Sequence, residues 1–406
     1  MNILIITPYL PFPLNSGGAQ GVYNMIDNLR SKHNFTLVIN EGGQNNKLNK
    51  QELQAKWPEV EIVYYPFILQ LTYPRFVYEK ARRIVQRKLI PNSRHFLIES
   101  TLRPYGEWFS KRHINFVNNI IKQKSIDIVQ VEFMECLQWI NFLPTNVKKV
   151  FVHHELGFVR KQRLLAKTDL SEKEKKLLEK TKETEISALN KYDAIITVTD
   201  VDREKLQKEG ITQPIFTSNL AINTQSHPFC LNKKQLTFIG GYGHLPNKEG
   251  IDWFIGKIAP ILNDYGFIVN LIGTNWPASY STNKIINLRL HGFVKELSDV
   301  ALGSIMIVPI LSGSGMRMKI LEAAAMSLPI VTTTVGVEGL QFQDGESCLI
   351  ADTPEGFANA IIHLENDINL RKTIGENANR LYTEKYTPKA LAEIRNRIYS
   401  QIIGTN

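Results

Sequence analysis

Short, mostly apolar runs alternate along the chain with longer stretches in which apolar residues recur every three or four positions. The runs, such as NILIIT at 2–7 and IMIVPI at 305–310, are rich in Ile and Val. Parallel strands that helices cover on both faces have this composition, and the intervening stretches have helical periodicity. The pattern predicts an α/β fold of parallel sheets joined by right-handed crossovers.

The predicted strands fall into two groups separated by a polar stretch. The first group is 2–7, 35–40, 61–65, 127–132, 150–153, 194–198 and 215–218, and the second is 236–239, 267–272, 288–290, 305–310 and 329–333. INTQSHPFCLNKK between them is typical of a linker, and LTFIGGYG then restarts the pattern of strand, glycine loop and helix that opened the chain. We predict two Rossmann-like, doubly wound domains at 1–220 and 235–386. A helix at 387–406 is expected to cross back to the first domain.

The composition of the sequence indicates a folded, globular protein and argues against membrane-spanning and disulfide-rich classes. The 406 residues carry a net charge of +9 and are 43% hydrophobic, which is typical of a folded, globular chain. Apolar runs of bilayer length are absent from the sequence, and MNILIITPYL resembles a first strand more than a signal peptide. Three distant cysteines without a CxxC pair argue against a disulfide framework or a structural zinc site. The sequence predicts a cytoplasmic protein.

Basic and aromatic residues are interleaved at 75–112, within a helical segment predicted at 70–115. Such a segment suits an anionic membrane surface, because Arg and Lys heads and aromatic rings fit the headgroup region. A solvated pair of basic helices is the simpler interpretation. The segment matches no nucleic-acid-binding module, and we expect no nucleic-acid partner.

Loops after strands are where doubly wound sheets bind ligands. Gly17 and Gly18 follow the first strand and precede an amphipathic helix, although a Gly-Gly pair is also a plain turn. In the second half, Gly241 lies in the GGYGH loop, and Asn247 is predicted to cap the next helix. His244 of this loop is a ligand-binding candidate or a surface residue.

The loop LSGSGMRMKILEAAAMS at 311–327 is the most informative. A tight turn leads into a helix predicted from about residue 316 to 327, whose free N–H groups and positive dipole end suit an anion. Arg317 and Lys319 add formal charge, so the segment predicts a diphosphate site. Gly315, either Met318 or Lys319, and Glu322 are predicted to share a helix face, which places a carboxylate where it can accept hydrogen bonds from a ribose diol. The alternative is a capped helix with a solvated glutamate.

The pair His153-His154 ends the strand at 150–153. Alternation along the strand sends the two rings to opposite sides, so at most one of them reaches a ligand. Either ring is a catalytic candidate, and a hydrogen-bonded core histidine is the alternative. The sequence also lacks an Asp-x-Asp at a strand end, and we expect no bound metal.

These segments resemble the signature regions of GT-B glycosyltransferases of the family 4, or group 1, type. The likeness rests on GSGMRMKILEAAAMSLPIVTT together with the GGA loop, IVQVEF, HHE, FIGGYGHLPNKEGIDWF and HGFV, and it spans nearly the whole chain. The motifs are specific for the fold and for sugar-nucleotide use, but not for one sugar. The resemblance implies two Rossmann-like domains that face each other across a cleft.

The resemblance also implies retaining transfer of a glycosyl group from a nucleotide-diphosphate sugar, with neither a metal nor another cofactor. His154 matches the histidine that contacts the donor sugar, with His153 as the alternative, and Glu322 matches the glutamate that binds ribose. Arg317 and Lys319 match the diphosphate-binding segment. The other residues predicted to bind the donor are Gly17, Gly18, Gly241, Ser314, Gly315 and Met316. A glycan or a lipid-linked acceptor is expected, in the synthesis of a bacterial surface polysaccharide or glycoconjugate.

Two departures from the family pattern keep alternatives open. Ser314 stands where many members have the first glutamate of E-x7-E, and Lys248 only approximately matches the basic residue of the second glycine loop. A sugar-nucleotide 2-epimerase of the same fold is one alternative. A catalytically idle scaffold that binds partners through its basic face is the other.

Overall fold

A computed structural model describes residues 1–14, 16–39, 46–65, 74, 77–78, 81, 98, 101–102, 109–166, 168–282, 285–313 and 315–404. The chain divides into two compact units. The first is Met1–Leu220 together with Leu391–Asn406, and the second is Ala221–Ala390. Each unit contains a wholly parallel sheet with helices between its strands, which confirms the predicted α/β class.

The first unit contains a seven-stranded sheet of order β3-β2-β1-β4-β5-β6-β7. Its strands are β1 (Asn2–Thr7), β2 (Asn34–Ile39), β3 (Glu61–Tyr64), β4 (Ile128–Glu132), β5 (Lys148–His153), β6 (Ala194–Thr197) and β7 (Ile215–Thr217). Its helices are α1 (Gly17–Leu29), α2 (Asn46–Lys56), α3 (Lys111–Gln123), α4 (Gly157–Leu165), α5 (Glu172–Leu189) and α6 (Asp200–Lys208), with a 3₁₀ helix at Met134–Asn141.

The second unit contains a six-stranded sheet of order β10-β9-β8-β11-β12-β13. Its strands are β8 (Gln235–Ile239), β9 (Ile268–Ile272), β10 (Asn287–Gly292), β11 (Ile305–Val308), β12 (Ile330–Thr332) and β13 (Leu349–Ile350). Its helices are α7 (Leu245–Trp253), which continues through a π-helical turn (Phe254–Ile258) into α8 (Ala259–Leu262), then α9 (Ser298–Ala301), α10 (Met318–Ala325), α11 (Thr334–Val337), α12 (Pro354–Asn366) and α13 (Ile368–Lys385).

The last helix, α14 (Pro388–Ile403), supplies residues from Leu391 onward to the first unit. Its buried face, with Ile398 and Tyr399, belongs to the same hydrophobic cluster as Ile3 and Ile5 of β1. The tail of the chain is thus part of the core of the first sheet.

All twelve predicted strands are present, with ends that differ by at most two residues. β13 was not predicted, because two residues are too short to form a hydrophobic pattern. Among the described residues, no helix is long and apolar enough to cross a membrane. Cys136, Cys230 and Cys348 are all free thiols. Most of the predicted basic segment at 70–115 lies outside the described residues.

Candidate functional site

The strand order of the second unit creates a crevice between two neighbouring strands. Connections from β8 and β11 leave in opposite directions along the sheet, which makes the pair the topological switch point. Open α/β sheets bind ligands at the carboxyl ends of such strands. The loop after β8 contains Gly241, and the loop after β11 leads to Arg317, so both predicted donor-binding loops flank the switch point.

The turn after β11 is longer than predicted, and helix α10 begins at Met318 rather than near residue 316. Gly313 and Gly315 have φ of +97° and +79°, values that a residue with a Cβ adopts only under strain. Gly315 and Met316 therefore lie in the turn, and the prediction that Gly315 shares a helix face with Lys319 and Glu322 is wrong. The physical reason is that two left-handed glycines extend the turn before the helix can start.

Arg317 occupies the N-cap position of α10 and is buried at 8% exposure. One terminal nitrogen of its guanidinium donates to the Gly315 carbonyl at 3.1 Å, and the other donates to the Ser312 carbonyl at 3.4 Å. The Ser312 hydroxyl in turn donates to the Glu249 carboxylate at 2.6 Å. Arg317 thus holds the turn together and concentrates positive charge at the start of α10.

Lys319 is the second cation, and its ammonium points back beneath the loop after β8. Its Nζ lies 4.0 Å from the centroid of the Phe238 ring and donates to Asn247 Oδ1 at 2.7 Å. Burial, together with the nearby charge of Arg317, lowers the pKa of Lys319 to about 7, and Glu322 opposes this shift. The lysine is therefore poised to gain a proton when an anion binds beside it.

Asn247 was predicted to be an N-cap, and this prediction is wrong. Helix α7 begins at Leu245 because Pro246 fits the first turn, so Asn247 is the third helical residue. Its side chain donates from Nδ2 to the Gly241 carbonyl at 2.9 Å while Oδ1 accepts from Lys319. One buried amide therefore joins the two loops of the switch point.

The remaining predicted donor residues of this unit lie around the same loops. Glu322 is buried at 8% exposure, on the second turn of α10. Gly241 follows Gly240, whose carbonyl accepts from Trp276 Nε1 at 2.8 Å. Ser314 lies outside the described residues. Lys248 pairs with Asp252 one helical turn away at 2.6 Å and is partly exposed.

The first unit has its own switch point, between β1 and β4. Gly17 opens helix α1, and the Ser16 hydroxyl caps that helix by accepting from the Ala19 amide at 3.3 Å. A Cβ on Gly18 would lie only 2.8 Å from the ring of Phe133. The second glycine is therefore required by packing against the residue that follows β4.

The two histidines lie on opposite sides of the chain, as alternation predicts. His153 is fully buried, and its Nε2 lies 3.1 Å from the Glu185 carboxylate. That carboxylate also accepts from the backbone N–H groups that begin helix α4. His154 has its Nε2 2.6 Å from Glu132, while Phe133 stacks on its ring at 4.0 Å. His153 is therefore a core residue that caps a helix through Glu185, and His154 is the member of the pair next to the switch point.

Two residues of these sites were not predicted as functional. Glu132 is buried at the end of β4, and Asn247 links the loops of the second unit. The sequence did contain one signal, because a carboxylate at the end of a buried strand needs a partner. Among the described residues, no group of three His, Cys, Asp or Glu side chains is arranged to hold a metal ion.

Comparison with known proteins identifies the class of enzyme. Residues 233–367 match the family model of the glycosyl transferases group 1. A 44.6 kDa protein in the cps region of Klebsiella pneumoniae is 24% identical over 100% of this chain and 99% of its own length. Sucrose-phosphate synthase from Thermosynechococcus elongatus has the same fold, with a TM-score of 0.72, 14% identity and 100% of both chains covered. Anabaena HepE in complex with UDP-glucose has a TM-score of 0.65 at 12% identity, over 98% of this chain and 100% of that one. The chain is a glycosyltransferase with the GT-B fold.

Proposed function

We propose that this glycosyltransferase transfers a sugar, with retention of anomeric configuration and without a metal ion, from a nucleotide-diphosphate sugar. The observation that carries the proposal is the cationic switch point of the second unit, where Arg317, Lys319 and the start of α10 converge. A helix start and two cations are suited to a diphosphate. The solved structure of HepE with UDP-glucose supports a donor of this class.

The proposed chemistry is stabilisation of a leaving group. When the anomeric C–O bond breaks, its electron pair remains on the diphosphate oxygen, and negative charge grows beside Arg317 and Lys319. Groups held in place before the reaction stabilise such charge without reorganisation. The acceptor hydroxyl forms the new C–O bond on the same face, which retains the configuration, and its proton passes to the departing diphosphate oxygen. Glu322 would hold the ribose, and His154 would contact the transferred sugar.

For the acceptor we propose a glycan or a lipid-linked glycan used in the synthesis of a surface polysaccharide. The relative from the Klebsiella cps region, which aligns with the whole chain, supports this assignment. The basic segment 75–112 would bring the enzyme to an anionic membrane surface on the cytoplasmic side. Because most of this segment lies outside the described residues, the membrane contact stays a prediction.

The test is a screen of the purified protein against nucleotide-diphosphate sugars, with and without a chelator. We expect one nucleoside diphosphate to be released at a rate that the chelator does not change, and NMR of the product to show the anomeric configuration of the donor. Arg317→Ala should lower kcat about 100- to 1,000-fold. Lys372→Ala is the matched control, because it removes one exposed positive charge of the same unit.

Three outcomes would contradict the proposal. Conversion of the donor into a different nucleotide sugar would identify an epimerase. Nucleotide binding without turnover across the panel would favour an idle scaffold. Equal kcat for Arg317→Ala and Lys372→Ala would remove the diphosphate role of the turn.

A further inference from the structure

A line of buried polar side chains connects the C-terminal helix to His154. On β4, Gln130 and Glu132 are two positions apart and therefore face the same side of the sheet. Both are at most 1% exposed. Arg395 and Tyr399, one turn apart on α14, are equally buried, at 3% and 0% exposure. Buried polar groups are retained in a core only when hydrogen bonds satisfy them.

The hydrogen bonds between these residues form one continuous chain. The Tyr399 hydroxyl donates to Gln130 Oε1 at 2.5 Å, and Arg395 approaches the same oxygen at 3.5 Å. Gln130 Nε2 then donates to Glu132 Oε1 at 2.5 Å. The other carboxylate oxygen of Glu132 lies 2.6 Å from His154 Nε2. Two residues, Gln130 and Glu132, thus connect α14 to the imidazole.

The direction of every hydrogen bond in the chain follows from its two charged members, Arg395 and Glu132. A guanidinium can only donate, so the Gln130 oxygen must face Arg395 and its amide nitrogen must face Glu132. A carboxylate only accepts, so it receives hydrogen from Gln130 on one oxygen and from His154 on the other. His154 therefore carries its hydrogen on Nε2. In the neutral ring, Nδ1 is then the atom with the lone pair.

Two further observations show that this imidazole is held in place. Phe133 stacks on it with an angle of 12° between the ring planes. Phe133 itself has φ of +65°, a conformation that is strained for a residue with a side chain. His154 Nδ1 is buried and accepts no hydrogen bond from the described residues. Strain beside an unsatisfied acceptor is typical of a functional site.

We propose that Arg395 and Tyr399 are positioning residues that fix the Nε2-protonated form of His154 through Gln130 and Glu132, so that Nδ1 accepts a hydrogen bond from a sugar hydroxyl. The reactive part of the inference rests on the proposed function, because it assigns the ligand of Nδ1 to the transferred sugar or its acceptor. The positioning part rests only on the hydrogen bonds within the first unit. In the neutral ring, the same argument excludes from Nδ1 a ligand group that only accepts hydrogen bonds, such as a phosphate.

The first experiment measures the tautomer of His154 without any substrate. Long-range proton–nitrogen NMR distinguishes a protonated ring nitrogen from one with a lone pair, and the His154→Gln variant assigns the signals. Wild-type protein should show hydrogen on Nε2 alone. In Glu132→Gln, whose side-chain amide donates as well as accepts, the two nitrogens should shift towards a mixture of tautomers. In Tyr399→Phe the shift should be smaller, because Arg395 still orients the Gln130 amide. Tyr192→Phe is the matched control, because it removes another buried hydroxyl of this unit, which donates to the Leu137 carbonyl at 2.7 Å.

The second experiment measures the kinetic effect of the same variants. Loss of one neutral hydrogen bond, worth about 0.5–1.5 kcal/mol, predicts that Tyr399→Phe lowers kcat/KM about threefold to tenfold. The affinity for a nucleoside diphosphate without sugar should not change, because that ligand is assigned to the second unit. In a Glu132→Gln background, Tyr399→Phe should add little, since the two residues act through one chain.

The outcomes separate this inference from the proposed function. A wild-type tautomer in both variants would overturn the positioning role. If the tautomer shifts but the protein processes no sugar donor, the positioning of His154 is upheld. The assignment of a sugar hydroxyl as the ligand of Nδ1 is then refuted. An equal loss of kcat/KM in Tyr192→Phe would show that the effect is general loosening of the core. If Tyr399→Phe does not fold, Glu132→Gln tests the direct link to His154.

Discussion

The pH dependence of donor binding follows from the environment of Lys319. Its ammonium is held between the Phe238 ring and the Asn247 amide, with Arg317 on the same turn. Burial disfavours the charged form and lowers the pKa of Lys319 to about 7. A diphosphate that binds beside it reverses this effect by favouring the ammonium. Donor affinity should therefore fall as the pH rises through 7.

The size of the change in Kd between pH 6 and pH 8 follows from the pKa of Lys319. The free enzyme carries the ammonium in about 90% of molecules at pH 6 and in about 10% at pH 8. If the diphosphate binds only the protonated form, Kd rises about tenfold across this range, which corresponds to about 1.4 kcal/mol. Below pH 6 the affinity should level off, because the lysine is then fully charged.

The assay is calorimetry with an intact nucleotide-diphosphate sugar, whose phosphates are both esterified. A free nucleoside diphosphate would be unsuitable, because its terminal phosphate gains a proton near pH 6. Lys319→Arg is the matched variant, since arginine stays charged throughout this range and should give a flat profile. His244→Gln controls for titration of the imidazole in the neighbouring loop. Burial and the charge of Arg289 lower the pKa of His291, which moves its titration towards the acidic end of this range.

The reasoning would be refuted by a wild-type Kd that is constant from pH 6 to pH 8. The same slope in Lys319→Arg as in the wild type would assign the titration to another group. Loss of the slope in His244→Gln would assign it to that histidine.

The other predictions concern the ribose contact, the loop link and the packing of α7. Glu322→Gln should weaken binding of the nucleoside diphosphate by about 1–3 kcal/mol while the melting temperature changes little, which calorimetry and thermal denaturation can test. Asn247→Leu should weaken donor binding about tenfold or more, because it releases both Lys319 and the Gly241 carbonyl, and an unchanged Kd would contradict the link. Gly250→Ala should destabilise the fold by about 1–3 kcal/mol, because the new Cβ would lie 2.3 Å from the Pro309 carbonyl oxygen. Gly256→Ala has no atom within 4 Å of its Cβ and should be neutral or stabilising in the same denaturation experiment.

Local patterns in the sequence were sufficient to predict the strands of both sheets, except for β13. Buried parallel strands need continuous Ile- and Val-rich runs, and the strand prediction at 2–7 matches β1 at both ends. The resemblance in the segment around Arg317 led to the same class of enzyme as the comparisons. β13 was not predicted, because it is defined by its hydrogen bonds to β12, a neighbour in space, and not by a hydrophobic pattern in the sequence.

The start of α10 shows why the loops were harder to predict from the sequence than the strands. Nothing in the sequence of Gly315 and Met316 forbids a helix, but Gly315 adopts φ of +79° in the structure, and Arg317 donates to two carbonyls of the same turn. The Asn247 side chain was assigned to a local cap, whereas its partner Lys319 lies 72 residues away. Such choices are decided by contacts that local propensity does not contain.

By itself, the sequence determined where strands and glycine loops lie and which cations and carboxylates are available, because burial and chain stiffness act over neighbouring residues. Only the tertiary structure decided which polar groups satisfy one another. Gln130 bonds to Tyr399 from the far end of the chain, and Glu132 joins Gln130 to His154, since a buried polar atom must find its partner wherever the fold brings one.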